Sequence, residues 1–237
     1  MFVLPRKQRQ FEDFPPVEDA SPEGLLAIGG DLGIERLLRA YRRGIFPWYS
    51  PGQPILWWSP NPRTVLFPDR IRVSKSMSKT IRQRRFRVTA DKRFNDVIQG
   101  CAAPRTQNPN AGTWITAEMT DAYRELHALG YAHSVETWNQ DRLVGGLYGV
   151  SLGHIFFGES MYSYESNASK FALICLAYQL QAWNFAVIDC QLPSSHIFRL
   201  GAEEIPRSNF LATLSEALRA PDRRGSWEFD NDLELFR

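Results

Sequence analysis

The chain has 237 residues, 43% hydrophobic and 23% charged, enough for one sizeable core with a small appended unit, which excludes both intrinsic disorder and a larger multi-domain machine. The formal net charge of +2 hides a segregation: Arg70 to Arg93 carries ten basic residues and one acid, Asp91, against 18 basic and 25 acidic residues elsewhere. No run reaches the roughly 18 to 20 apolar residues of a membrane span, Pro5, Arg6, Lys7 and Arg9 interrupt a signal-peptide core, and Cys101, Cys175 and Cys190 form no C-x-x-C pair, so a cytoplasmic protein without a disulfide framework is expected.

In chain order, Asp31 is the expected cap of a helix whose apolar positions Ile34, Leu37, Leu38 and Tyr41 follow the 3.6-residue period, with Gly44 and Pro47 ending it. Five prolines and Trp48, Tyr49, Trp57 and Trp58 make 47–62 an ordered, aromatic-rich loop, and a small N-terminal domain is expected over 1–62. From 63 to 237 strand and helix signals alternate. Thr64–Phe67 reads as a strand, Ser74–Arg84 as a basic helix capped by Ser74 or Ser76, Phe86–Thr89 as a strand and Phe94–Cys101 as a helix. Thr116 caps a helix over 116–129 with Met119, Ala122, Tyr123 and Leu126 on one face and Gly130 as its stop. His133–Trp138, Leu143–Val150 and His154–Met161 form an antiparallel meander. A long apolar helix over 167–183 and a strand over 185–192 complete an α+β fold with a mixed, largely antiparallel sheet.

Motifs remove several chemistries. There is no phosphate-binding G-x-x-x-x-G-K-[ST] loop, and Gly145, Gly146 and Gly149 lack the strand-to-helix setting of a dinucleotide site. His127, His133, His154 and His196 are not spaced as H-E-x-x-H, so a metal site is not expected. A Ser160, Asp189, His196 triad is compatible with chain order, but Tyr162 stands where a nucleophile elbow needs its second glycine. The basic run fits either a solvated helix face or a footprint for a polyanion. Asp189 and Gln191, two apart on a strand, are expected on one face of the sheet, with Cys190 on the other. With Glu159, beside Phe156 and Phe157, they need partners if buried: an amine ligand, or internal pairing with Lys170 or Arg199.

The stretches Gly24–Leu32, Tyr41–Trp48, Trp57–Pro60, Gly112–Thr116, Ala132–Glu136, Leu143–Gly149, Gly158–Met161, Asn167–Lys170 and Ile188–Gln191, in this order over nearly the whole chain, closely resemble the bacterial leucyl/phenylalanyl-tRNA–protein transferase family. The resemblance implies an enzyme moving leucine or phenylalanine from aminoacyl-tRNA to proteins that begin with Arg or Lys, creating a degradation signal. It implies a GNAT-like acyltransferase domain that needs no metal or coenzyme A. Carried over by position, Trp48 and Trp114, with Tyr41 nearby, hold the terminal adenosine, where base stacking on an aromatic ring is worth roughly 1 to 3 kcal/mol. Leu147, Phe156, Leu173 and Ile188 wall the amino-acid pocket, and Glu159, Asp189 and Gln191 are the polar catalytic and acceptor-binding set. The basic run then gains a partner in the tRNA backbone, with Lys75, Lys79, Arg82, Arg84 and Arg85 as expected contacts.

In this reading Gln191 Oε1 accepts a hydrogen bond from the acceptor amine while Asp189 orients Gln191 and draws the proton; a covalent Cys190 is the rival. An apolar pocket separates analogues one methylene apart by only about 1 to 3 kcal/mol, so methionine is expected as a third donor. Two other classes stand beside it. A non-catalytic RNA-binding module would leave Asp189 and Gln191 without a purpose. A coenzyme A-dependent acetyltransferase would want a glycine-rich loop where 163–169 has none.

Overall fold

The computed structural model of the chain describes residues 2–5, 14–103 and 115–230. Their regular elements are β1 (Phe2–Leu4), β2 (Leu25–Gly29), α1 (Ile34–Arg42), β3 (Phe46–Pro47), β4 (Leu56–Trp58), β5 (Arg63–Leu66), α2 (Lys75–Arg82), β6 (Arg87–Ala90), α3 (Phe94–Ala102) and α4 (Ala117–Ala128). After them come β7 (Ala132–Asn139), β8 (Arg142–Leu152), β9 (Ile155–Ser163), α5 (Ala168–Ala182), β10 (Val187–Gln191), α6 (Ser195–Phe198), β11 (Glu203–Ile205) and α7 (Arg207–Ala217). Thus helices and strands are mixed, as expected.

The smaller sheet has the order β1-β2-β4-β3. The aromatic stretch expected as loop alone contributes two of its strands: Trp57 lies opposite Ala27 and Pro47, and Trp58 opposite Leu25 and Phe46. Pro47 is tolerated because β3 is an edge strand, where a missing N–H breaks no ladder. Helix α1 forms where its apolar period predicts, but Asp31 is not its cap. Gly33 holds that position, and Asp31 accepts instead from Gly33 N at 2.9 Å and from the buried Arg36 at 3.1 Å. A short polar side chain bonding to the backbone two residues on competes with capping.

The larger sheet runs β11-β5-β10-β9-β8-β7-β6. The meander β7–β8–β9 is antiparallel throughout, and among the described pairs of this sheet only β9 and β10 run parallel. A parallel pair needs a crossover, which α5 supplies. Helices α2 and α4 carry their expected caps: Ser74 Oγ accepts from Met77 N, and Thr116 Oγ1 from Met119 N, both at 3.2 Å. Met119, Ala122, Tyr123 and Leu126 are all buried. Because Thr116 also contacts Tyr49 OH at 3.3 Å, Thr116→Ala is expected to cost about 1 kcal/mol. Thermal denaturation would read this as a Tm lower by roughly 2 to 4 °C.

Leu37, Tyr41, Phe46 and Trp57 pack in one apolar cluster with Val65, Tyr123, Tyr148, Phe157 and Phe210. The described part of residues 1–62 therefore shares a core with the larger sheet. On that sheet's other face, Leu147, Phe156, Ile188 and helix α5 form a second cluster, which Trp227, from the segment after α7, closes. Trp227 stacks on His133 at 3.8 Å and meets Phe156 at 5.9 Å. Asp91 fixes the arrangement, accepting from His133 Nδ1 and Ser134 N at 2.8 Å and from Trp227 N at 2.6 Å.

Candidate active site

Parallel pairing between β9 and β10 ends at Phe157 and Asp189. Beyond that point β9 continues against β8, while β10 breaks register between Asp189 and Gln191 against β5. A cavity of about 390 Å³ opens in the gap. Leu147, Phe156, Leu173 and Ile188 all face it, and Glu159, Cys190, Gln191 and Trp48 stand around them.

The break changes the geometry read from strand alternation. Gln191 has φ of 63°, a left-handed conformation that a non-glycine residue keeps only when its surroundings hold it there. Asp189 and Gln191 therefore do not share one face: Gln191 and Cys190 line the cavity and Asp189 lies beneath it, fully buried. Asp189's partner is neither an amine ligand nor Lys170 or Arg199 but Arg63 on the neighbouring β5. Arg63 Nε reaches Oδ1 at 2.8 Å and a terminal nitrogen reaches Oδ2 at 2.6 Å. The rings of Phe46 and Phe210 each lie 4.7 Å from the guanidinium carbon. Asp189 Oδ1 also accepts from Gln191 N at 3.0 Å. Asp189 thus orients Gln191 through its backbone, and the fork of Arg63 takes the two oxygens that were expected to draw a proton. A triad through Asp189 fails for the same reason, since its hydrogen bonds go to Arg63 and Gln191 and none to His196.

Glu159 is the other buried carboxyl at this site. It accepts from Tyr41 OH on Oε1 and Tyr123 OH on Oε2, and from Gln191 Nε2 on Oε1, each at 2.8 Å. Burial dominates and pushes its pKa up to about 7, aided by the charge of Asp189 and opposed by the three donors. The same burial raises the hydroxyls of Tyr41, Tyr123 and Tyr148 well above the ordinary tyrosine range. At Cys190, burial and the Asp189 charge outweigh Arg63 and push the thiol up. Although Cys190 faces the cavity, contrary to the alternation argument, it is a protonated thiol and a poor nucleophile.

Among the expected adenosine residues, Trp48 is 40% exposed at the cavity. Its carbonyl accepts from Trp58 Nε1 at 2.7 Å, and the two rings meet edge to face at 5.7 Å. Trp114 lies outside the described residues. Tyr41 is wholly buried, so it offers no ring face for stacking, and its hydroxyl serves Glu159 instead. Lys75, Lys79, Arg82, Arg84 and Arg85 are all exposed. Arg85 pairs with Glu165 at 3.0 Å and lies over Phe86, while the other four make no ion pair among the described residues. Sequence reasoning does not single out Arg63 or Tyr123. An arginine heading an apolar strand is the available signal for Arg63. Tyr123 reads as an ordinary core position because its period matches.

Among the described residues no three His, Cys, Asp or Glu side chains come together as metal ligands, and no helix is long and apolar enough to cross a membrane.

Comparison with known proteins gives the family. The family model described as leucyl/phenylalanyl-tRNA protein transferase matches residues 65–215, and the model for that family's N-terminal domain matches 30–61. A leucyl/phenylalanyl-tRNA–protein transferase of Pseudomonas fluorescens (strain SBW25) is 55% identical over 93% of this chain and 97% of its own. One of Syntrophus aciditrophicus (strain SB) is 58% identical over 90% and 89%. Among solved structures, L-PGS from Bacillus licheniformis is similar at 10% identity and a TM-score of 0.41, over 72% of this chain and 54% of that one, too distant to bear on the site. With matches that extend across both sheets and the cavity between β9 and β10, the chain belongs to the leucyl/phenylalanyl-tRNA protein transferase family of enzymes.

Proposed function

We propose that this enzyme transfers leucine or phenylalanine, and also methionine, from aminoacyl-tRNA to the α-amine of proteins beginning with Arg or Lys, marking them for degradation. It does so in the cytoplasm, with aminoacyl-tRNA as donor and without metal or coenzyme. The observation that carries the reading, beside family membership, is an apolar cavity with a buried carboxyl and an amide at its mouth. Residues 63–237 as a GNAT-like acyltransferase domain, behind a small domain at 1–62, draw support from the parallel pair β9 and β10 parting around that cavity.

The ester is already activated, so alignment of the two substrates supplies most of what the reaction needs. Leu147, Phe156, Leu173 and Ile188 take the aminoacyl side chain by shape. Trp48 and Trp114 flank the terminal base. Gln191 spends its amide N–H on Glu159, which leaves Oε1 to accept from the incoming amine. Asp189, held by Arg63, keeps Gln191 aimed.

The test is transfer of radiolabelled leucine from leucyl-tRNA to peptides starting with Arg, Lys or Ala. Transfer to Arg and Lys peptides alone supports the reading. Binding of tRNA without transfer to any peptide replaces it with the RNA-binding module, and acetyl transfer from acetyl-coenzyme A with the acetyltransferase. For the basic face, Lys79→Glu with Arg82→Glu is expected to weaken tRNA binding. It should also flatten the plot of log affinity against log salt by about 0.7 to 0.9 for each phosphate that is no longer neutralised; an unchanged slope would remove this helix from the interface.

A further inference from the structure

Tyr41, Tyr123 and Glu159 form a closed triangle of hydrogen-bonding contacts. The two hydroxyls are 2.5 Å apart, and each is 2.8 Å from a different oxygen of the Glu159 carboxyl. Three such contacts need three protons, because each hydrogen bond holds one. The hydroxyls bring two. With the carboxyl ionised, both hydroxyls donate to it and their oxygens face each other at 2.5 Å with no proton between them. With the carboxyl protonated, the ring closes head to tail: Glu159 donates to one tyrosine, that tyrosine to the other, and the second back to the carboxyl. The site is one proton short as a carboxylate and complete as an acid.

We infer that this triangle is the proton acceptor of the transfer reaction, with Glu159 taking a proton from the acceptor's α-ammonium and Tyr41 and Tyr123 setting how tightly it is bound. The inference rests on the aminoacyl transfer proposed above. The acceptor amine is mostly charged near neutral pH, and in that form has no lone pair to attack with. Glu159 lines the cavity, beside Gln191, and is where that proton can go. The neutral nitrogen then attacks the ester carbonyl carbon; the C–N bond forms and the bond from carbonyl carbon to ribose oxygen breaks. The nitrogen's remaining excess proton passes to the leaving ribose oxygen, and the proton on Glu159 returns to solvent when the product leaves. Asp189 cannot substitute, since Arg63 occupies it.

The groups facing the triangle come from four elements. They are Tyr41 from α1, Tyr123 from α4, Tyr148 from β8, and Gln191 and the Asp189 charge from β10. The pKa of Glu159 near 7 suits a proton received and released within one turnover.

The decisive measurement is the pH profile of kcat for leucyl transfer to an Arg-initiated peptide. It is taken for wild type, Tyr123→Phe, Tyr41→Phe and Glu159→Gln, each with two acceptors whose α-amines differ in pKa. Glu159 must be ionised to accept, so wild-type kcat should fall on the acidic side as pH drops through the pKa that Glu159 has with both substrates bound. Each phenylalanine variant keeps the ring and removes a donor that favours the carboxylate. Its acidic limb should therefore move upward by roughly one unit or more, and by the same amount for both acceptors. Glu159→Gln should lose this limb and at least a hundredfold in kcat. A limb that follows the acceptor and ignores Tyr123→Phe would overturn the assignment.

A second readout needs no activity. The folded-state pKa of Glu159 is raised, so its contribution to stability is full below its unfolded value near 4.5 and is lost as pH rises through about 7. The stability difference between Glu159→Gln and wild type should therefore change with pH across that window; a flat difference also overturns the inference. Absence of transfer by the wild type to any peptide would instead count against the function on which it rests.

Discussion

Arg63→Ala is expected to cost about 3 to 5 kcal/mol of stability, because it leaves Asp189 as a buried, unpaired carboxylate. That corresponds to a Tm lower by roughly 6 to 20 °C. Turnover should fall about a hundredfold even where the variant is still folded. Without the fork, Asp189 is free to leave Gln191 N, and a shift of an ångström at a positioning group is enough for such a loss. A double replacement separates the two effects. Arg63→Met with Asp189→Leu removes both charges and fills their volume, so stability should largely return. The acceptor for Gln191 N is still missing, so kcat should stay low. Recovery of kcat along with stability would show that the ion pair only holds the fold.

Gly149→Ala should damage the pocket from behind. A Cβ there would stand 2.2 Å from Phe157 O and 2.6 Å from the ring of Phe156, and the nearest of these is backbone, which cannot swing aside. Overpacking of a core costs about 1 to 3 kcal/mol when side chains alone must yield, so a loss at or above the upper end is expected here. Phe156, which walls the cavity, has to move, and KM for the aminoacyl donor should rise more than tenfold. Denaturant melts and steady-state kinetics would check both, and wild-type values in each would mean that β8 relaxes at Gly149 without disturbing β9.

What the sequence reveals divides along physical lines. Elements with their own period and caps are legible: α4, with Thr116 before it and Gly130 after it, forms where expected and with its expected buried face. The strands β1 to β4 are not, because two to five residues give no measurable alternation and only pairing makes them strands. Helix α7 has a readable signal in Phe210, Leu214 and Ala217, all buried, yet it lies beyond the elements expected from the sequence. At the site, the pocket wall follows from resemblance, and Leu147, Phe156, Leu173 and Ile188 do converge. Arg63 is invisible, since no local rule links it to Asp189, 126 positions away. The register break at Gln191 is equally hidden, because alternation assumes a regular strand.

The contact of Trp227 with Phe156 bears on synthesis. Every wall of the cavity is translated before Trp227, and the sheet can pair while the ribosome is still adding residues. Until the segment after α7 leaves the exit tunnel, however, His133 lacks the ring that stacks on it and Phe156 has an open side behind it. A nascent chain can therefore hold the whole meander and still lack a finished amino-acid pocket. Proteolytic clipping between α7 and Trp227 would return the folded enzyme to that unfinished condition.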